Sequence, residues 1–240
     1  MEKLMYLLWT PDAELPEETE QLLLADLAPK LLALGPCGLT IDADDTGAQV
    51  PPPLPLPDDE SPVRAVVSLW LDAYDRRDPF EELLRAHSTR LAGYLVTESM
   101  YTDYGGNPWS GARDWADGTR SPGILTVTLL QQKRGTEYEE WMHFWHTRQS
   151  PMSEEIQPRA RYVRNSVARA ITPDAPPYLG IVEEAWPTID DLTDPMRFYC
   201  GAGDEEQMKT NMSTMLTHIA TLLDLDVTRV HTMSEWILKS

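Results

Sequence analysis

Apolar positions recur along this chain in two rhythms, and the change from one to the other marks out its elements. Lys3–Trp9 is a short run of Leu, Met and Tyr, too brief for a helix, and is expected to be a buried first strand. From Glu17 to Leu34 the leucines at 23, 24, 27, 31 and 34 keep helical spacing behind an acidic first turn. Pro29 lies inside that pattern, so the helix should kink or restart at Ala28, and Gly35-Pro36 should end it. Strands are expected over Cys37–Asp42, Val63–Leu71 and Leu91–Met100, with a helix from Pro79 to His87 capped by Asp78. A turn-rich stretch, Tyr101–Pro122, follows, and then the same order restarts. Gly123–Leu130 reads as a strand, Thr136 opens an aromatic helix broken at Gln149-Ser150-Pro151, and Tyr162–Ile171 and Tyr178–Trp186 read as strands. The helix Glu205–Leu223 aligns Met208, Met212, Met215, Ile219 and Leu222 on one face, a pattern expected to pack in the core, and Asp226–Leu238 is the last strand.

Two successive βαββαβ orders predict an α+β protein built from two ferredoxin-like repeats. The expected division is residues 1–104, a connector over 105–121, and residues 122–240. A local echo accompanies it: Leu27-Ala28-Pro29-Lys30 and Ile156-Gln157-Pro158-Arg159 each precede a second strand. One such unit carries its helices on a single sheet face, so the other face needs cover. Packing the two antiparallel sheets face to face within one chain supplies it, as a barrel whose inter-sheet space is the expected pocket.

Charge narrows the partners. A formal net charge of -19 repels phosphate backbones and acidic lipid, so neither nucleic acid nor a membrane is an expected partner. Cys37 and Cys200 are too few for a disulfide framework and suit a reducing cytoplasm; Cys37 reads as a small buried hydrophobe. The proline run Pro51–Pro57 is expected to be a stiff solvated loop. Trp109 and Trp115 are unusual in a plain connector and should lie across a groove or cover the neighbouring half.

The helix from Thr136 holds the most informative position. Tyr138, Trp141, Met142 and Trp145 share a face, and Gln149 falls in the middle of it, where a polar amide needs partners. His146 lies about 60° round the helix, and His143 shares the polar face with Glu139 and Glu140. Two histidines three residues apart diverge too far for a zinc site, so no metal is expected. The run Glu137–Trp145, the Gln149-Ser150-Pro151 break, and Tyr162, Asn165 and Val167 resemble the EthD-like members of the dimeric α+β barrel superfamily. Gly180-x-x-x-Glu184-x-Trp186 is similar to a strand of the same family. The likeness is clearest beyond Gly123. It implies a barrel that binds a small apolar, aromatic or polyketide-like molecule without a cofactor, with ring closure, oxygenation or elimination as the reaction classes. Haem, bound by some related barrels, lacks an evident axial ligand here. Family members commonly pair two chains, so a homodimer of single-chain barrels stays open. The family's His-x-Pro is Gln149-Ser150-Pro151 here, and glutamine does not titrate. Candidate proton carriers are therefore His231, Tyr162 and His146, and the substrate-binding candidates are Gln149, Trp145, Tyr162, Asn165, Glu184, Trp186 and His231. The alternative is a non-catalytic binding or accessory protein that has lost the histidine.

Overall fold

The computed structural model describes residues 1–10 and 15–240. Eight strands are present: β1 (Glu2–Trp9), β2 (Gly38–Ala43), β3 (Ala65–Leu71), β4 (Arg90–Thr102), β5 (Ile124–Leu130), β6 (Arg161–Ala170), β7 (Gly180–Trp186) and β8 (Arg229–Lys239). They close into one barrel in the order β1-β3-β2-β8-β5-β7-β6-β4, and every neighbouring pair is antiparallel. Closure leaves no unpaired edge. The helices lie outside: α1 (Pro16–Glu20), α2 (Ala28–Ala33), α3 (Asp78–Ala86), α4 (Tyr138–Phe144), α5 (Ser150–Ile156), α6 (Ile189–Thr193), α7 (Pro195–Phe198) and α8 (Glu205–Leu222).

Side-chain alternation assigns each strand two buried faces. On β1, Leu4, Tyr6 and Leu8 pack outward beneath Leu23, Leu27 and Leu31 of the first helical segment. Met5, Leu7 and Trp9 point inward and meet Leu125, Val127 and Leu129 of β5 across the lumen. Pro29 acts as expected: a π-helical stretch, Gln21–Leu27, leads into α2, which starts at Ala28. Cys37 departs from expectation. Its amide donates to the Trp70 carbonyl at 2.7 Å, but its side chain is exposed because it lies just before β2, outside the barrel wall. The helix α3 begins one residue earlier than expected, at Asp78, with Arg77 before it and no side-chain cap.

One end of the lumen is charged. Lys3 Nζ lies 2.6 Å from Glu98 and 3.0 Å from Glu183, and Asn165 Nδ2 donates to Glu183 at 2.7 Å. Arg161 pairs with Glu235 at 2.7 Å, and the hydroxyls of Tyr104 and Ser121 donate to the same carboxylate. Burial pushes Glu183 up, but Lys3 and Arg161 outweigh it and hold the carboxyl low. Asp42 differs: it is fully buried, and neither carboxyl oxygen has a hydrogen-bond partner. Burial, then repulsion from Glu183 and Glu235, raises its pKa well above the ordinary aspartate value. The folded chain therefore holds a proton that the unfolded chain gives up near pH 4, so this group lowers stability as pH rises above about 4. Asp42→Asn is expected to raise the melting temperature at neutral pH, by an increment that disappears below about pH 4. Thermal unfolding of both proteins across that range measures it.

Candidate functional site

A cavity of about 270 Å³ opens on the outer face of β5–β8, between that face and the turn Trp145–Gln149, α5 and α8. The motif residues on β7 explain why the space is shaped as it is. Gly180, Val182, Glu184 and Trp186 share the outer face by alternation. Gly180 leaves room for the Trp145 indole, since a Cβ there would lie 2.7 Å from the ring. Glu184 takes the Arg159 guanidinium at 2.6 Å, and Trp186 donates to Thr126 Oγ1 at 3.0 Å while stacking on Phe198. These two aromatic side chains and Trp145 form much of the apolar wall. The helix before Pro151 supplies a further part. Its turn from Trp145 to Gln149 is π-helical, one residue wider than an α turn, which keeps Gln149 beside Trp145 and brings Ser150 inward as well.

Polar atoms in this wall are few and placed. The Tyr162 hydroxyl accepts from Trp145 Nε1 at 3.3 Å and lies 3.1 Å from Ser150 Oγ. Burial raises its pKa, so the phenol stays protonated. Gln149 Nε2 contacts Met215 Sδ at 3.3 Å, and its Oε1 has no partner. Met215, Ile219 and Leu222 of α8 face the same space. Met208 and Met212, on the same face, are half-buried and do not line it.

The structure divides the expected site residues between two compartments. Gln149, Trp145, Tyr162, Glu184 and Trp186 meet at the outer cavity. Asn165 and His231 point into the lumen, because each sits on the opposite parity of its strand. The pocket expected between two sheets is therefore corrected: the strands form one closed barrel whose lumen is packed with side chains, and this cavity lies under the helices instead. His146 is half-buried with its ring edge against Trp145 and Nε2 unpartnered; burial, then Arg164, lowers its pKa. His143 is exposed, as its place on the polar face predicts. Among the described residues, no three His, Cys, Asp or Glu side chains converge as metal ligands.

Two contributors were not evident in the sequence. The proline run is not a free loop: Pro53 and Leu54 roof the cavity. Both ends of this strap are tied to β8, where Thr232 Oγ1 donates to the Val50 carbonyl at 2.6 Å and Arg229 pairs with Glu60 at 2.7 Å. The other contributor is α7, whose Phe198 and the following Tyr199 close the far side. Pro195 at its first turn and Asp194 capping it were readable signals for this short helix. Trp115 donates to Ser121 Oγ and packs edge-on against Tyr104, so the connector covers one end of the barrel, while Trp109 remains exposed.

No protein-family model matches the sequence, and no curated protein matches it. Solved structures match by fold. An anthrone oxidase-like protein superposes over 100% of this chain and 94% of its own length, with a TM-score of 0.57 and 8% identity. Putative monooxygenases from Lactobacillus acidophilus NCFM and Fusobacterium nucleatum each align over 99% of this chain, with TM-scores of 0.49 and 10% identity. They are covered over 96% and 92% of their lengths. The first of these establishes the α+β barrel fold and nothing finer. No helix among the described residues is long and apolar enough to cross a membrane.

His231 has a measurable signature. Burial, then Arg229, depresses its pKa to about 4, against about 6.5 in an unfolded chain. The folded state thus binds fewer protons between those values, and the stability this difference contributes is full above about pH 6.5 and lost as pH falls towards 4. His231→Gln is expected to flatten that part of the stability profile, followed by denaturant unfolding at a series of pH values.

Proposed function

We propose that this chain is an EthD-like, oxygenase-like barrel protein that binds a small aromatic or polyketide-like molecule in the outer cavity. The observation that carries the reading is the cavity itself: aromatic and aliphatic walls with a protonated phenol, Tyr162, and an amide, Gln149, as convergent polar atoms. A planar ring fits between Trp145, Trp186 and Phe198. A carbonyl oxygen on that ring accepts from Tyr162, and a hydroxyl donates to Gln149 Oε1. On this reading the two runs of strands are tandem ferredoxin-like repeats. Each run has its fourth strand beside its first and its third between first and second, and β2–β8 and β4–β6 join the two runs. The division at 105–121 follows from the same order. The matching space outside β1–β4 is filled by Leu23, Leu27, Leu31, Phe80 and Leu84.

The chemistry suited to such a site is cofactor-independent attack of dioxygen on an easily ionised ring, with cyclisation or elimination as related outcomes. A non-catalytic binding protein is the second reading. It is favoured by the absence, among the described residues, of a free base on the wall: Gln149 replaces the family histidine, His231 lies in the lumen, and Glu184 is held by Arg159. Binding and turnover separate the two. Hydroxyanthrones and hydroxynaphthols are expected to quench tryptophan fluorescence, and Trp145→Ala to weaken that binding about tenfold or more. Oxygen uptake that falls roughly a hundredfold in Tyr162→Phe supports the enzyme. Tight binding with no oxygen uptake and no conversion supports the carrier. No binding of either class would reject both.

A further inference from the structure

Among the described residues four cationic side chains are buried: Lys3, Arg159, Arg161 and Arg164. The first three each touch a carboxylate. Of the four, Arg164 alone touches none. Its Nη1 donates to Ser150 Oγ at 3.1 Å and its Nη2 to Ser99 Oγ at 3.0 Å, its Nε is unpartnered, and its plane lies 4.8 Å from the Tyr101 ring. In so acidic a protein the omission is not for want of anions. The nearby Glu154 and Glu184 are both taken by Arg159, at 3.2 and 2.6 Å. A buried guanidinium left with hydroxyls and an aromatic face is costly to the folded state.

The hydroxyl that receives Arg164 is the one that touches the cavity phenol. Ser150 Oγ donates to the Trp145 carbonyl at 3.0 Å, and that carbonyl already accepts from the Ser150 amide. While Ser150 donates there, Tyr162 must give its own proton to Ser150. Rotating the serine hydroxyl towards Tyr162 leaves the carbonyl satisfied and releases the phenolic proton to the cavity. Arg164 stays bonded to Ser150 in both arrangements. Positive charge is thus relayed from Arg164 through Ser150 to the Tyr162 hydroxyl, a donor on the cavity wall.

We infer that Arg164 is a positioning residue whose charge, passed through Ser150 and Tyr162, makes the outer cavity take its ligand as an oxyanion, a phenolate or enolate. The inference rests on that cavity being the ligand site. The groups facing the relay are Arg159, Glu184, Glu154, Tyr101 and His146. Both carboxylates pair with Arg159 and leave that trio one net negative charge, while Arg164 pairs with neither and His146 is held uncharged at neutral pH by burial and by Arg164 itself. A cation this close favours the ionised form of a bound acid.

The test uses 4-nitro-1-naphthol, whose anion absorbs in the visible, and its methyl ether, which has the same shape and no proton. Binding is followed by tryptophan fluorescence and ionisation by absorbance against pH. The naphthol bound to the parent protein is expected to titrate about one pH unit or more below the free compound. Arg164→Met should abolish that shift and leave ether affinity unchanged, while Arg164→Lys restores part of it. Removing an unpaired buried charge should also leave the melting temperature of Arg164→Met at or above the parent value. A bound naphthol whose pKa is unmoved or raised in the parent protein overturns the inference, whatever the variants do. So does a shift that survives in Arg164→Met. If naphthol and ether both fail to bind, the cavity is not the ligand site, and the inference falls with that reading.

Discussion

Outside β4 and the end of β6, little of a strand in this barrel faces solvent. Closure buries one side in the lumen, the helices cover much of the other, and the two-residue period of the strand decides which side chain goes where. Every consequential placement in the molecule follows from that parity. On β6, Arg161 and Asn165 turn inward to the carboxylates of the lumen, while Tyr162 and Arg164 turn outward to the helices. A slip of one residue would exchange the two sets and leave unpaired charges on both sides of the sheet. The ion pairs of the lumen thus serve register as much as stability, since an apolar lumen of equal volume would be at least as favourable energetically.

The same parity explains how much was legible beforehand. Element order could be read because turn clusters and changes of period are local, and the eight strands fall where the apolar rhythm places them to within a few residues. The restart of the helix at Ala28 followed from one proline. The site was half legible. Gln149, Trp145, Tyr162, Glu184 and Trp186 could be picked out as polar or aromatic residues at conspicuous positions, and they do meet. The compartment in which they meet was not legible. Alternation separates Tyr162 from Asn165, but it does not say which of the two faces the helices. That depends on pairings between residues more than a hundred positions apart, such as Lys3 with Glu183. The strap escaped notice for a related reason, because its anchors, Thr232 and Arg229, lie at the other end of the chain.

Within the cavity, the division of labour among arginines is more telling than the count of polar groups. Arg159 is paired with two carboxylates and stacks on the Tyr162 ring at 4.0 Å, which fixes the phenol in place without polarising it strongly. Arg164 touches the same phenol only through a serine. One cation therefore holds the ring and the other is left to act on its oxygen, an allocation possible because the wide turn at Trp145–Gln149 carries Ser150 inward.

The strap from Val50 to Glu60 has a wider implication. A loop that leaves the barrel between β2 and β3 roofs a chamber whose walls come from β5–β8, so neither end of the chain owns the chamber outright. Such sharing works as a ratchet on descent. Once one segment roofs what another encloses, the two are inherited together, and the segment that encloses nothing is freed to drift so long as its roof still fits.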